Sequence, residues 1–259
     1  MPYSMRLDGP SERVRRAIAS VRAAGIPVTV ATGRAVWNAL HAVRQLGLED
    51  GVPVVCSNGA LLYDVAAERV AHRVPFDPAP AVHALLEVNP GVGIAVEYRT
   101  EGWRYNGSFK PDFESRFVGM VDVPTLVAEP TTRLVVRLPG DDTDVPSWPS
   151  LRREAYELVE VAGLARLGCD MEVGVFGWID VCAAGVSKAT GAAMVADDLG
   201  VPAADVVAVG DGNNDLPMFA WAGHAVAMGQ ATDRVRNAAD EVIPSVDEDG
   251  VAQLLERWA

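Results

Sequence analysis

The sequence is poor in cysteine and has no long hydrophobic run. Its 259 residues include three cysteines, and Cys56, Cys169 and Cys182 show no C-x-x-C spacing. This pattern argues against a disulfide framework and favours buried free thiols in a reducing compartment. No apolar run approaches the length that spans a membrane, and the N-terminus lacks the hydrophobic region of a signal peptide. We therefore expect a cytoplasmic protein.

The sequence also lacks an excess of positive charge. It has 22 lysines and arginines against 35 aspartates and glutamates, which gives a net charge of −13 at pH 7. This balance argues against nucleic acid or an anionic membrane as a partner. A phosphorylated small molecule is compatible with it, provided that local cations offset the acidic field at the binding site. We expect a monomer or a homodimer.

Strand-like and helix-like segments alternate at both ends of the chain. Ser11 is placed to cap an amphipathic helix that Gly25 ends, and the β-branched run 26–31 predicts a buried strand. This alternation is typical of a doubly wound, Rossmann-like parallel sheet in an α/β protein. We predict that residues 1–75 and 183–259 together form this core.

The middle of the chain follows a different order. Short strand-like pieces occur with two helix-like stretches, 79–88 and 151–161, and a loop rich in proline and aspartate spans 139–149. The sequence therefore predicts an α+β module at 76–182, inserted into the core. Trp103 and Tyr105 in this module could stack on a sugar ring, although their alternation fits one face of a strand equally well.

Two carboxylates share a short turn near the C-terminal end of the chain. Asp211 follows the apolar run 206–209, which predicts a buried parallel strand, and Asp215 lies at the predicted start of a helix. In an open α/β sheet, ligands bind at this edge. Mg²⁺ is usually held by one or two carboxylates with substrate phosphate. A surface turn is the simpler alternative, but it does not explain two acids directly after a buried strand, so we predict a metal site.

Two further segments are placed to bind an anion. Thr32 and Gly33 follow a predicted strand and open a predicted helix, so the hydroxyl and the helix amides could hold a phosphate oxygen. Thr32 could also be a simple helix cap. Lys188 begins another predicted helix, against the preference of the helix dipole, and a bound anion would remove that conflict. Without the other segments, Lys188 would be interpreted as a solvated surface lysine.

These segments, in this order, resemble motifs of the Cof-type sugar phosphatases in the haloacid dehalogenase superfamily. The matching residues are Ala31-Thr32-Gly33-Arg34, Gly185-Val186-Ser187-Lys188 and Gly210-Asp211-Gly212-Asn213-Asn214-Asp215, with weaker likeness at Ser57-Asn58-Gly59-Ala60 and Ala225-Val226-Ala227-Met228-Gly229. The resemblance covers nearly the whole chain. It implies that the inserted module is the cap that sets substrate specificity in such enzymes.

The resemblance also implies roles for individual residues. Thr32 and Gly33 would bind the transferring phosphoryl group, and Lys188 would steady its charge during catalysis. Asp211, also a catalytic residue, and Asp215 would hold Mg²⁺. Hydrogen bonds near the site would come from the amides of Asn58 and Asn214.

The first motif of this family, D-x-D-G-T, does not occur in the sequence. If Asp8-Gly9 is aligned with its D-G, Arg6 stands at the position of the nucleophile; if the helix after Ser11 is the anchor, the motif is absent. Neither alignment supplies the attacking carboxylate. We expect that the sequence begins late relative to a complete protein, and an in-frame D-x-D-G-T upstream would support this. An inactive descendant is the alternative.

The expected function is Mg²⁺-dependent hydrolysis of a phosphomonoester, such as a small sugar phosphate, through an aspartyl-phosphate whose nucleophile is not visible in this sequence. The alternative is a pseudoenzyme that binds a phosphorylated ligand without turning it over. The predicted site residues are common to both functions and do not discriminate between them.

Overall fold

The fold is described from a computed structural model that covers residues 9–140, 145–174 and 176–258. The chain divides into two compact units, one combining Met1–His72 with Ser187–Ala259 and the other consisting of Arg73–Val186. The domain boundaries predicted from the sequence lie a few residues from these. The assignment of the units as catalytic core and cap remains a prediction.

The first unit contains helices and strands in alternation along much of its length. Its helices are Glu12–Ala23, Val36–Gln45, Lys188–Asp198, Leu216–Trp221, Asp233–Arg236 and Gly250–Leu255. Its strands are Val54–Cys56, Leu61–Asp64, His224–Met228, Val207–Gly210 and Glu241–Ile243, with Arg69–Arg73 at the boundary between the units.

The first helix forms as its sequence predicts. The Ser11 hydroxyl accepts a hydrogen bond from the amide of Val14 at 3.1 Å, which satisfies one of the amides left open at a helix start. Val14 and Ile18 lie on its buried face and join a hydrophobic cluster that also includes Val43 and Val54. Burial of this face fixes the helix against the unit, because an isolated helix of this length is marginal in water.

The strands of the first unit form two sheets of three strands each among the described residues. Val207–Gly210, His224–Met228 and Glu241–Ile243 pair in parallel. Val54–Cys56 instead turns back and pairs antiparallel with Leu61–Asp64. The α/β class is therefore confirmed, but one continuous parallel sheet is not what these residues form.

Two predicted buried strands differ from expectation. Of residues 26–31, Ala31 alone forms a strand bridge within the described part of the chain, and its partner Val55 is parallel to it. The Val55 amide donates to the Val30 carbonyl, and the Val55 carbonyl accepts from the Thr32 amide. In the strand Val207–Gly210, Val207 is 38% exposed while Ala208 is buried. A uniformly apolar run hides this alternation, because its residues give no signal of which face meets solvent.

The second unit is built on one six-stranded sheet. The strand order is Phe117–Met120, Gly102–Tyr105, Gly93–Tyr98, Leu134–Arg137, Ile179–Ala183 and Cys169–Val173. The first two strands are parallel, and the other neighbouring pairs are antiparallel. Its helices are Ala79–Val88, Val123–Leu126 and Trp148–Ala162. The predicted α+β module and its two longer helices are thus confirmed, although the second helix begins inside the predicted loop 139–149.

The two faces of this sheet differ in character. Leu134 and Val136 join the hydrophobic core together with residues of the helices. The alternating Arg133 and Arg137 lie on the other face and are nevertheless buried. The guanidinium of Arg137 binds the Asp112 carboxylate, and this hydrogen bond holds the pKa of that carboxyl group below its usual value. Arg133 lies 3.0 Å from the Asp180 carboxylate, so both buried arginines are paired within the unit.

Trp103 is buried in the second unit, and its indole N–H donates to the Ser115 hydroxyl at 3.0 Å. The strand-face interpretation of Trp103 is therefore the right one, because a buried ring cannot stack on a ligand. Within the described ranges, no helix combines the length and the apolar character that a membrane crossing requires.

The three cysteines are free and buried, as predicted. Burial is the largest cause of the raised pKa of the Cys182 thiol, and together with the nearby charges of Asp170 and Asp180 it brings this pKa to about 12. Burial also raises the pKa of Cys169. Both thiols therefore stay protonated at neutral pH.

We predict that the native protein reacts with the thiol reagent DTNB at pH 8 far more slowly than free cysteine does, because the thiolate is the reactive form. After unfolding in guanidinium, all three thiols should react at once. The measurement is the absorbance of the released thionitrobenzoate. Rapid labelling of three thiols in native buffer would contradict the burial described above.

Candidate functional site

The segment around Thr32 is fixed by backbone hydrogen bonds to a neighbouring turn. The Thr32 amide donates to the Val55 carbonyl at 2.8 Å, and the Thr32 carbonyl accepts from the amide of Asn58 at 3.1 Å. The next backbone link runs from the Ser57 amide to the Arg34 carbonyl at 2.9 Å. Two separate parts of the sequence are thereby held side by side at one edge of the first unit.

The turn Ser57–Gly59 has an unusual backbone. Ser57, Asn58 and Gly59 have φ angles of 50°, 55° and 100°, in the left-handed region. Residues other than glycine adopt this region at a cost of about 1 kcal/mol or more, and they cluster at functional sites. A side chain at Gly59 would place its Cβ 1.9 Å from the Ser187 carbonyl oxygen, so only glycine allows this contact. The turn is thereby packed directly against the start of the helix Lys188–Asp198.

Two asparagines connect this turn to the loop with the two carboxylates. The side-chain amide of Asn214 donates to the Asn58 side-chain oxygen at 3.0 Å. Gly33 lies against this hydrogen bond, since a Cβ on Gly33 would stand 2.8 Å from the same Asn58 oxygen. The structure thus brings Gly33, Asn58 and Asn214 together, as the sequence predicts. Their roles toward a phosphate remain predictions.

Lys188 is a buried residue with a buried acidic partner. Its ammonium lies 2.7 Å from Oδ1 of Asp215, and the two residues are 7% and 4% exposed. The interpretation of Lys188 as a solvated surface lysine is therefore wrong. The conflict with the helix dipole is met by the Asp215 carboxylate, which supplies the expected negative charge from within the protein.

Asp215 also organises the loop that contains it. Its Oδ2 accepts hydrogen bonds from the amides of Asp211 and Gly212, each at 2.9 Å. The loop continues through the short turn Asn213–Asp215 into the helix Leu216–Trp221, as predicted. With Lys188 on one oxygen and two amides on the other, Asp215 is engaged by the protein at both oxygens. This pattern is typical of a carboxylate that positions its neighbours.

Asp211 has a different environment at the end of the strand Val207–Gly210. It is partly buried, and its Oδ2 accepts from the side-chain amide of Gln230 at 3.1 Å. The Gln230 amide is a neutral donor to Asp211, whereas the Lys188 ammonium is a charged donor to Asp215.

The donor set fits Mg²⁺, which prefers oxygen ligands and needs only one or two carboxylates with substrate phosphate and water. Within the described ranges, no group of three histidine, cysteine or acidic residues could hold a metal. The metal-ligand roles of Asp211 and Asp215 therefore both stay predictions.

The Thr32 hydroxyl is oriented by its own backbone. Its oxygen accepts from the Arg34 amide at 3.1 Å, which leaves the hydroxyl hydrogen available to donate to another group. The helix that follows begins at Val36 with Ala35 at the capping position, so Thr32 does not cap it. The expectation that Thr32 and Gly33 open the helix directly is wrong by a few residues, because the chain first makes the turn that contacts Asn58.

Gln230 is a site residue that the sequence does not point out. It follows directly after Gly229, the last residue of a segment that carries family likeness, and no local pattern distinguishes its amide from that of a surface glutamine. The positions of Arg6 and Asp8, on which the alignment of the first motif depends, lie outside the described residues.

The family model of the haloacid dehalogenase-like hydrolases matches residues 8–255 of the chain. The chain belongs to this family. Among curated members similar to it is the 5-amino-6-(5-phospho-D-ribitylamino)uracil phosphatase YitU of Bacillus subtilis, which is 25% identical over 96% of this chain and 90% of its own length. The pyridoxal phosphate phosphatase YbhA of Escherichia coli is 27% identical over 92% of this chain and 88% of its own.

A solved member of the family has the same fold. The structure of the subclass IIB sugar phosphatase BT4131 matches with a TM-score of 0.80 and 21% identity, over 99% of this chain and 94% of that one. At this level of identity, the likeness establishes the fold of this haloacid dehalogenase-like hydrolase and nothing finer.

Removal of the Asp215 charge should destabilise the protein, because it leaves the Lys188 ammonium buried without its partner. We expect Asp215→Asn to lower the free energy of unfolding by about 3 kcal/mol, as measured by urea denaturation. The double variant with Lys188→Met should recover part of this loss. The matched control Asp205→Asn, at an exposed aspartate of the same unit, should change stability by less than about 0.5 kcal/mol. Equal effects of the two Asn variants would contradict the buried ion pair.

Proposed function

We propose that this haloacid dehalogenase-like hydrolase cleaves the phosphomonoester of a small metabolite with the help of Mg²⁺. The observation that carries the proposal is the 2.7 Å ion pair of Lys188 and Asp215. The loop of this pair also contains Asp211 and is linked through Asn214 and Asn58 to the Thr32 segment. A buried ammonium close to a second carboxylate suits a ligand that brings both an anion and a cation. Phosphate with Mg²⁺ is such a ligand.

Lys188 and Thr32 are proposed to bind the phosphoryl oxygens. The Lys188 ammonium has three N–H donors and uses one of them on Asp215. The remaining donors and the Thr32 hydroxyl hydrogen can therefore serve the oxygens on which negative charge is concentrated during transfer. The ion pair fixes the direction of the lysine before the substrate binds, and such preorganised donors contribute most to stabilisation of the transition state.

Asp211 is proposed to hold the metal, with Asp215 alongside in a positioning role through Lys188 and the loop amides. When bound, Mg²⁺ would screen the repulsion between the anionic substrate and an anionic nucleophile. The 3.0 Å hydrogen bond between Asn58 and Asn214 holds the loop that contains Asp211 near the Thr32 segment.

The attack itself is proposed to follow the family chemistry, in which an aspartate forms an aspartyl-phosphate that water then hydrolyses. None of the described residues is assigned as this nucleophile. The second unit, Arg73–Val186, corresponds to the predicted module 76–182 and is proposed as the cap that sets substrate specificity. The names of YitU and YbhA, both phosphatases of small phosphorylated molecules, support a metabolite as the substrate class.

A second candidate is a phosphate-binding protein without turnover. The absence of D-x-D-G-T from the 259 residues favours it, because a haloacid dehalogenase-like hydrolase without that aspartate keeps the anion site but loses the attacking group. Both candidates require the same contacts of Thr32 and Lys188.

We predict that Asp211→Asn weakens Mg²⁺ binding at least tenfold in titration calorimetry, because an amide replaces a charged oxygen ligand. Asp205→Asn serves as the matched control and should bind Mg²⁺ like the unchanged protein. An Asp211→Asn variant with unchanged affinity would remove the metal assignment.

Turnover separates the two candidates. If the protein is a phosphatase, it should hydrolyse p-nitrophenyl phosphate with Mg²⁺ and stop when EDTA removes the metal. Thr32→Val should then lower kcat/KM by about 10- to 100-fold, since one hydrogen bond to a charged group is lost. The control Thr232→Val, at an exposed threonine without a side-chain cap bond, should leave it unchanged.

No turnover, together with calorimetric binding of inorganic phosphate that Thr32→Val weakens, would establish the binding protein instead. If phosphate does not bind at all and p-nitrophenyl phosphate is not hydrolysed, both candidates fail.

A further inference from the structure

Gln230 connects the Asp211 carboxylate to a distant backbone segment. Its Nε2 donates to Asp211 Oδ2 at 3.1 Å, and its Oε1 accepts from the amide of Val246 at 2.9 Å. The second contact fixes the orientation of the side-chain amide, because a backbone N–H can only donate. The nitrogen of Gln230, and not its oxygen, must therefore face Asp211.

The segment that anchors Gln230 is itself held tightly. A Cβ on Gly250 would lie 1.9 Å from the Pro244 carbonyl oxygen, and a Cβ on Gly229 would lie 2.8 Å from the Ser245 amide. These close approaches bring the chain on either side of Val246 against its surroundings. The Glu248 carboxylate also accepts from the Ser245 amide and hydroxyl, at 3.1 and 2.7 Å. The Val246 amide therefore has a fixed position from which to direct Gln230.

Different donors orient the two carboxylates of the loop. Asp215 accepts from the Lys188 ammonium and two backbone amides, whereas Oδ2 of Asp211 accepts from the Gln230 side-chain amide. A hydrogen bond from a neutral amide directs a carboxylate oxygen without adding a positive charge that would compete with a bound cation. The Gln230 contact therefore orients Asp211 and adds no competing charge.

We propose that Gln230 is a positioning residue for Asp211 as a metal ligand, oriented in turn by the Val246 amide. This inference rests on the proposed function, because it takes Asp211 to bind Mg²⁺. Partners that orient metal ligands typically contribute 10- to 100-fold to metal affinity. Gln230 acts only by orienting the Asp211 carboxylate, since its amide carries no charge.

The test is Mg²⁺ titration calorimetry of the whole protein with the variant Gln230→Met, which keeps the length of the side chain and removes both hydrogen bonds. We expect the dissociation constant for Mg²⁺ to rise about tenfold. The matched control is Gln253→Met, because Gln253 also donates its side-chain amide into this segment, to the Glu248 carbonyl at 2.8 Å, but does not contact Asp211. The control should bind Mg²⁺ normally.

A second variant tests the anchor without changing Gln230. Val246→Pro removes the amide hydrogen that fixes Gln230, at the first position of the turn Val246–Glu248, where proline is accepted. We expect a smaller rise in the Mg²⁺ dissociation constant, of about fivefold, which corresponds to one neutral hydrogen bond. Urea denaturation of each variant shows whether the protein remains folded during the titration.

The outcomes separate this proposal from the proposed function. Normal Mg²⁺ binding by Gln230→Met, with binding weakened at least tenfold in Asp211→Asn, overturns the role of Gln230 and leaves the metal site in place. Equal losses in Gln230→Met and Gln253→Met also overturn it, because the effect then belongs to the segment as a whole. If the unchanged protein does not bind Mg²⁺, the metal assignment fails and this inference with it.

Discussion

The buried ion pair between Lys188 and Asp215 is the constraint on which the rest of the site depends. Removing two charges from water costs several kcal/mol for each ion unless the geometry and the remaining hydrogen bonds compensate. The protein meets this condition with a 2.7 Å contact on one oxygen and two loop amides on the other. These contacts hold the loop with Asp211 against the helix of Lys188.

Close packing of backbones extends this constraint to the other segments of the site. Gly59 lies against the first turn of the Lys188 helix, and Gly33 lies against the hydrogen bond between Asn58 and Asn214. These glycines are needed for the space they leave, since a side chain at either position would separate the segments. The groups proposed to bind the anion are thus held in place before any ligand arrives, which reduces the entropy lost when one binds.

The sequence predicts the parts of this site that have local chemical signals. The acidic turn, Thr32 and Lys188 stand out because their residue types and their positions after strands or at helix starts are unusual. The two separate sheets and the exposure of Val207 were not predictable, since uniformly apolar runs do not reveal pairing or facing. Gln230 carries no local signal, because its contacts join residues far apart in the sequence and only the folded chain brings them together. The pairing of Lys188 with Asp215 likewise cannot be read from the sequence, because the two residues are distant along the chain.

The most direct test of the account is a crystal structure of the protein with Mg²⁺ and tungstate, a stable mimic of phosphate. The account predicts that the oxyanion lies within hydrogen-bond distance of the Thr32 hydroxyl and the Lys188 ammonium, that the metal contacts Asp211, and that Lys188 keeps its contact with Asp215. Tungstate bound away from Thr32 and Lys188, or a Lys188 side chain separated from Asp215, would contradict it.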